Sequence, residues 1–178
     1  MFLTLFLATL AAPAELDASL DQKLDVAFRA CTLFLLKENY FDAANTELKD
    51  NGIIVGNVPP EAVVFTPDSW GPAATANVKT SVGWVSLSGF RKVNVCRVAA
   101  GGSADFSSAR KKFVEPFETS SLWKAKPKQR EGIVLFENFV LENAKAPIDT
   151  LLALSGPEST VNGGNGLQLM MTVSLAKR

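Results

Sequence analysis

The last stretch of the chain constrains the fold most. Leu167, Leu169, Met171, Val173 and Leu175 alternate with Gln168, Met170, Thr172 and Ser174. A period of two places the first set on one face of a β-strand and the second on the other. A strand with one apolar face needs a second layer to cover it. Residues 16–37 supply that layer. Leu16, Leu20, Leu24, Phe28, Cys31 and Leu35 recur at spacings of four and three, with Asp17, Asp21, Lys23, Asp25 and Arg29 between them. This is the stripe of an amphipathic helix.

The elements between these two are read from shorter signals. Asn39 is placed to cap a second helix with Phe41, Ala44 and Leu48 as its stripe, ended by Asn51-Gly52. Residues 53–77 hold four prolines and little periodicity. They read as an ordered loop over the core, with "AVVF" as a short strand. Residues 82–87 and 93–98 are β-rich around Ser88-Gly89, which predicts a hairpin. A helix is expected from Ala104, with Phe106, Ala109 and Phe113 on one side and Pro116 as its stop. "SSLWKAKPKQREG" reads as a polar, basic loop. Residues 133–141 and 148–154 read as strands, and a glycine-rich loop at 155–166 leads into the last one.

The order α-α-β-β-α-β-β-β predicts an α+β fold with a mainly antiparallel sheet and helices packed on it. No internal repeat and no linker interrupts residues 15–178, so one domain is expected there. A similar order of elements occurs in profilin-like and roadblock-like folds. That likeness is one of order alone and implies nothing about function.

The sequence contains no histidine. This excludes Ser-His-Asp and Cys-His catalysis, His-ligated metals and His-based pH switching. Its two cysteines cannot build a Cys-rich zinc or iron–sulfur site, so no metal or cofactor is expected. Lys+Arg and Asp+Glu are equal at 18 each, which argues against the basic footprint of a nucleic-acid binder.

Residues 1–14, "MFLTLFLATLAAPA", form an apolar run closed by Ala12-Pro13-Ala14. That run is shorter than the ~20 residues a spanning helix needs, and its end resembles a signal cleavage site. The start of the run carries no Lys or Arg. A signal peptide over 1–14 is expected, with a mature chain from Glu15 that carries no membrane span and is periplasmic or secreted. In that setting the even cysteine count favours a disulfide between Cys31 and Cys96, joining the first helix to a strand.

"AAGGSAD" is neither a Walker loop nor a dinucleotide loop. Ser103 is suited to cap the following helix, which places Asp105 in its first turn, where a carboxylate would repel phosphate. Gly101 and Gly102 are therefore read as a structural turn. Ser108 with Lys111, and Ser121 with Lys124, match S-x-x-K, but Lys79-Thr80-Ser81 is only a near match to K-T-G and precedes both. Glu137 and Glu142 are candidate acid/base carboxylates. Glu137 lies in the apolar run "IVLFENFVL", where it needs a salt bridge or an outward bulge.

Seven basic residues fall between 110 and 130: Arg110, Lys111, Lys112, Lys124, Lys126, Lys128 and Arg130. Only Glu115 and Glu118 oppose them. Residues 15–50 carry eight acids and four bases, so a neutral total hides a dipolar chain. The candidate binding residues are Arg110, Lys112, Trp123, Lys124, Lys126, Lys128 and Arg130, with no catalytic residue among them. The expected function is a non-catalytic binding or accessory domain, its partner an envelope protein or an anionic envelope polymer. The alternatives are a His-independent hydrolase or transferase using Ser/Lys or carboxylates, and a ligand sensor with its pocket between the sheet and the 53–77 loop.

Overall fold

The computed structural model describes residues 18–36, 41, 42, 44–56, 58, 66–142, 148–157 and 166–177. Residues 1–14, Asn39 and the run 62–65, to which the signal segment, a helix cap and a strand were assigned, lie outside the described residues. Helix α1 spans Ala18–Leu36 and α2 spans Thr46–Asp50. Strands β1 (Ile54–Val55), β2 (Ala74–Lys79), β3 (Gly83–Phe90) and β4 (Val95–Gly102) follow. Helix α3 (Ser107–Thr119) then leads into β5 (Trp123–Ala125), β6 (Gln129–Glu131), β7 (Val134–Leu141), β8 (Ile148–Pro157) and β9 (Leu167–Lys177).

Among the described residues the strands form one sheet in the order β1-β2-β3-β4-β9-β8-β7, with β5 and β6 both pairing the outer side of β7. Every pairing is antiparallel. The chain thus runs twice through one plan, a helix followed by a meander. The two meanders meet where β4 pairs β9. The plan repeats although the sequence does not.

Helices α1 and α3 cover the same face. Leu20, Leu24, Ala27, Cys31 and Phe34 of α1 are buried against β3, β4 and β9. Leu169, Met171 and Val173 of β9 answer them from the sheet, as the alternation predicts, whereas at the start of the strand Leu167 is exposed and Gln168 is buried, the reverse of the expected pattern. Phe28 of α1 meets Phe113 and Phe117 of α3 at ring distances of 5.6 and 6.4 Å, which closes the helical layer. On the opposite face, Val58 packs against Trp84 and Ala99. Trp70 stands edge-on to Phe90, with the Arg97 guanidinium 4.4 Å from its ring centre. Over the described residues, Val58 and Trp70 of the 53–77 segment thus lie against this face.

Several local expectations are corrected. β3 runs straight through Ser88 and Gly89, and the reversal falls at Arg91–Val93 and Asn94, whose φ of 50° is left-handed. Gly89 serves packing instead: a Cβ there would lie 2.6 Å from the Phe34 ring. Gly102, with φ +132°, ends β4 where a Cβ would meet the Gly83 Cα at 2.4 Å, so the pair admits close backbone approach. α3 starts at Ser107, whose N–H donates to the Asp105 carboxylate at 2.8 Å, and it continues through Pro116 to Thr119. Phe117, packed on Phe28, Trp123 and Phe139, holds that last turn in place. α2 is capped by Asn45, whose side chain accepts from the Leu48 N–H at 3.2 Å. Strands β1, β2, β5 and β6 extend the expected element order.

Cys31 and Cys96 form a disulfide with Cα atoms 5.4 Å apart, and both are fully buried. It ties α1 to β4 across a sequence separation of 65. Chain-entropy arguments put the stabilisation from closing such a loop at about 4 kcal/mol. Cys31→Ser and Cys96→Ser should each lower unfolding free energy by up to about 4 kcal/mol, and by similar amounts, because each removes the same cross-link. Denaturant titration checks this. Reductant should shift the wild type towards the variants and leave the variants unmoved.

Candidate functional site

The charged groups of α3 converge on β7. Alternation along β7 directs Leu135, Glu137 and Phe139 to the helix side, and Glu137 is 4% exposed. Burying a carboxylate in an apolar strand is costly unless it is paired. Its partner is Arg110, on the buried side of α3 with Ala109, Phe113 and Val114. Arg110 Nε and Nη2 donate to Glu137 Oε2 at 3.1 and 2.8 Å. Nη2 also donates to the Leu135 carbonyl at 2.9 Å, and Nη1 to the Gly156 carbonyl at 3.1 Å. One guanidinium thereby fastens α3 to β7 and β8. A salt bridge, one of the two outcomes expected for Glu137, is the one found.

The chain of charges continues outwards. Lys128, between β5 and β6's far end of the edge, places Nζ 2.7 Å from Glu137 Oε1 and 2.9 Å from Glu118 Oε1. Hydrogen bonds to Glu137 first, then Glu118, raise its pKa above the ordinary lysine value. Arg110, Glu137, Lys128 and Glu118 alternate in sign from interior to surface. They border a cavity of about 420 Å³ between α3 and the β6–β7 hairpin, whose rim includes Ser107, Lys111 and Glu115.

The candidate binding residues do not share one face. Arg110 and Lys128 meet through Glu137. Lys112 points to α1, where Asp25 and Asp21 take its Nζ at 2.8 and 2.9 Å; the hydrogen bond to Asp25, then that to Asp21, raises its pKa. Trp123 is half-buried, edge-on to Phe117 at 5.0 Å. Lys124 pairs with Glu142 at 2.6 Å. Lys126 is exposed, its backbone N–H donating to the Asn138 carbonyl at 2.8 Å, and Arg130 is exposed on β6. Lys124, Lys126 and Arg130 thus follow the outer edge of the sheet.

The other motifs find structural settings. Ser108 and Lys111 are exposed on α3, and Lys124 of the second S-x-x-K is held by Glu142. The Thr80 hydroxyl oxygen accepts from the Val82 and Gly83 N–H groups, closing the β2–β3 turn. Among the described residues no three acidic or cysteine side chains are grouped to hold a metal. The role of Arg110 was missed in the sequence. Its signal was position: Arg110 lies four residues after Phe106 and four before Val114, inside the buried stripe.

Glu137→Gln should cost about 3–5 kcal/mol, because it strands a buried guanidinium. The double variant Arg110→Met/Glu137→Leu should recover most of that loss, which equilibrium unfolding measures. Lys128→Met should show a pH signature. A lysine whose pKa is raised by folding contributes stability below its unfolded value, and loses it as pH rises through the folded value. The melting-temperature gap between wild type and Lys128→Met should therefore persist at neutral pH and close only above about pH 10.4. No family model, curated protein or solved structure matches the chain, so its site is read from its own geometry.

Proposed function

We propose that the chain is a periplasmic or secreted, non-catalytic binding or accessory domain that meets an envelope protein or an anionic envelope polymer along the β5–β6 edge. The observation that carries the binding role is the exposed series Lys124, Lys126 and Arg130 along β5, β6 and the link between them. Leu122, 70% exposed, and half-buried Trp123 add apolar contact at the start of that edge. Aromatic and arginine side chains are favoured anchors at interfaces. Arg110 and Lys128 hold the edge to α3 in this reading, and Lys112 holds α3 to α1.

The buried disulfide supports export, since such bonds persist in oxidising compartments. The signal-like segment 1–14 supports it independently. Among the described residues no helix is long and apolar enough to cross a membrane. The likeness to profilin-like and roadblock-like folds rests on the order expected from the sequence, to which β1, β2, β5 and β6 are added in the structure.

A Ser/Lys or carboxylate enzyme needs a lysine of lowered proton affinity or a carboxylate free to accept a proton. Of the candidate groups, Lys124 is ion-paired with Glu142, and both oxygens of Glu137 accept hydrogen bonds or ion pairs. These observations favour binding over catalysis.

Natively produced protein should begin at Glu15 and bind an isolated envelope fraction at low salt, releasing as ionic strength rises, because exposed charges are screened over about 10 Å at 0.1 M. Lys126→Glu with Arg130→Glu should abolish retention and leave the melting temperature within a degree or two, as surface changes shift stability by less than about 0.5 kcal/mol. Retention equal to wild type would remove the edge from the proposal, and a cytosolic chain still starting at Met1 would remove export.

A further inference from the structure

We infer that the cavity between α3 and the β6–β7 hairpin binds a small zwitterion of amino-acid or dipeptide size, a site separate from the β5–β6 edge. Its floor is already built. Arg110 and Glu137 are buried, committed to each other and to strand carbonyls, so they present a fixed surface. Val114 and Leu135 add apolar wall. The volume of about 420 Å³ falls within the ~300–1,000 Å³ of small-molecule sites and exceeds what one amino acid fills.

The rim decides the ligand class. Lys111 and Glu115 lie four residues apart on α3, both exposed and both bordering the cavity. Neither side chain is ion-paired among the described residues. Such positions stand about 5–6 Å apart on one helix face. A free cation and a free carboxylate at that spacing suit a ligand that carries both charges within a few bonds of each other. Its carboxylate would meet Lys111, with the Ser107 hydroxyl one turn earlier as a second donor. Its ammonium would meet Glu115.

Charge balance points the same way. The lining holds three cations (Arg110, Lys111 and Lys128) and three carboxylates (Glu115, Glu118 and Glu137). A simple anion would face Glu115 and Glu118, and a simple cation would face Lys111 and Lys128. A zwitterion leaves no charge uncompensated.

Isothermal titration of the intact mature protein with L-alanine and L-alanyl-L-alanine tests this. N-acetyl-L-alanine and L-alaninamide, each lacking one charge, are the controls. At least one zwitterion should bind saturably, and both capped analogues should bind at least about ten-fold more weakly. Lys111→Met and Glu115→Gln should each weaken the zwitterion about ten-fold or more at unchanged melting temperature, since both side chains are exposed. No saturable binding of either zwitterion at about 10 mM would overturn the site. So would capped analogues that bind as well, or binding that neither substitution alters. The variants leave Lys124, Lys126 and Arg130 intact, so either result leaves the edge proposal standing on its own test.

Discussion

The bond between Cys31 and Cys96 joins the first helix to β4, and β4 is the strand through which the two meanders meet. The helix it fastens carries the side chains that cover the centre of the sheet, from Leu20 to Phe34. A loop with a separation of 65 closes through that bond, so the whole first half of the fold is constrained before any apolar contact is counted. Gly89 shows how closely the two surfaces fit, since the Phe34 ring occupies the place where a side chain on β3 would stand.

The second half is fastened differently. No cysteine is present there, and α3 is held by the guanidinium of Arg110, which spans Glu137, Leu135 and Gly156. A buried ion pair contributes little net stability over an apolar equivalent, yet it is costly to break by halves. Its bonds to Glu137, Leu135 and Gly156 are the points at which α3 is held to β7 and β8. The two clamps divide the chemistry of the chain. One depends on an oxidising compartment. The other, with Lys128 as its outer member, forms the floor and one end of a polar cavity.

Elements with a full period were legible in the sequence. β9 shows alternation over nine residues, 167–175, and α1 has five turns of stripe, and both elements stand where those patterns placed them. β5 and β6 have three residues each and carry charges, too few positions for alternation to show. β2 buries only Ala76 and Val78, small side chains that give a weak signal within a proline-bearing stretch. Ser88-Gly89 looked like a turn because glycine is permissive; its actual reason, the Phe34 ring, comes from a residue more than fifty positions away. Glu137 was conspicuous as an acid within an apolar run. The identity of its partners was not, because Arg110 and Lys128 come to it only through tertiary packing. Counting the basic residues of 110–130 could not show that α3 and the sheet edge separate them.

Export, a stapled core and a charged edge form one account, and the cross-link is its most exposed element. Protein isolated from its native cells, denatured without reductant and treated with an alkylating agent, can be digested and mapped by mass spectrometry. The account predicts one cross-linked species joining the peptide of Cys31 to that of Cys96, with neither thiol alkylated. Two alkylated cysteines in the natively produced chain would contradict it.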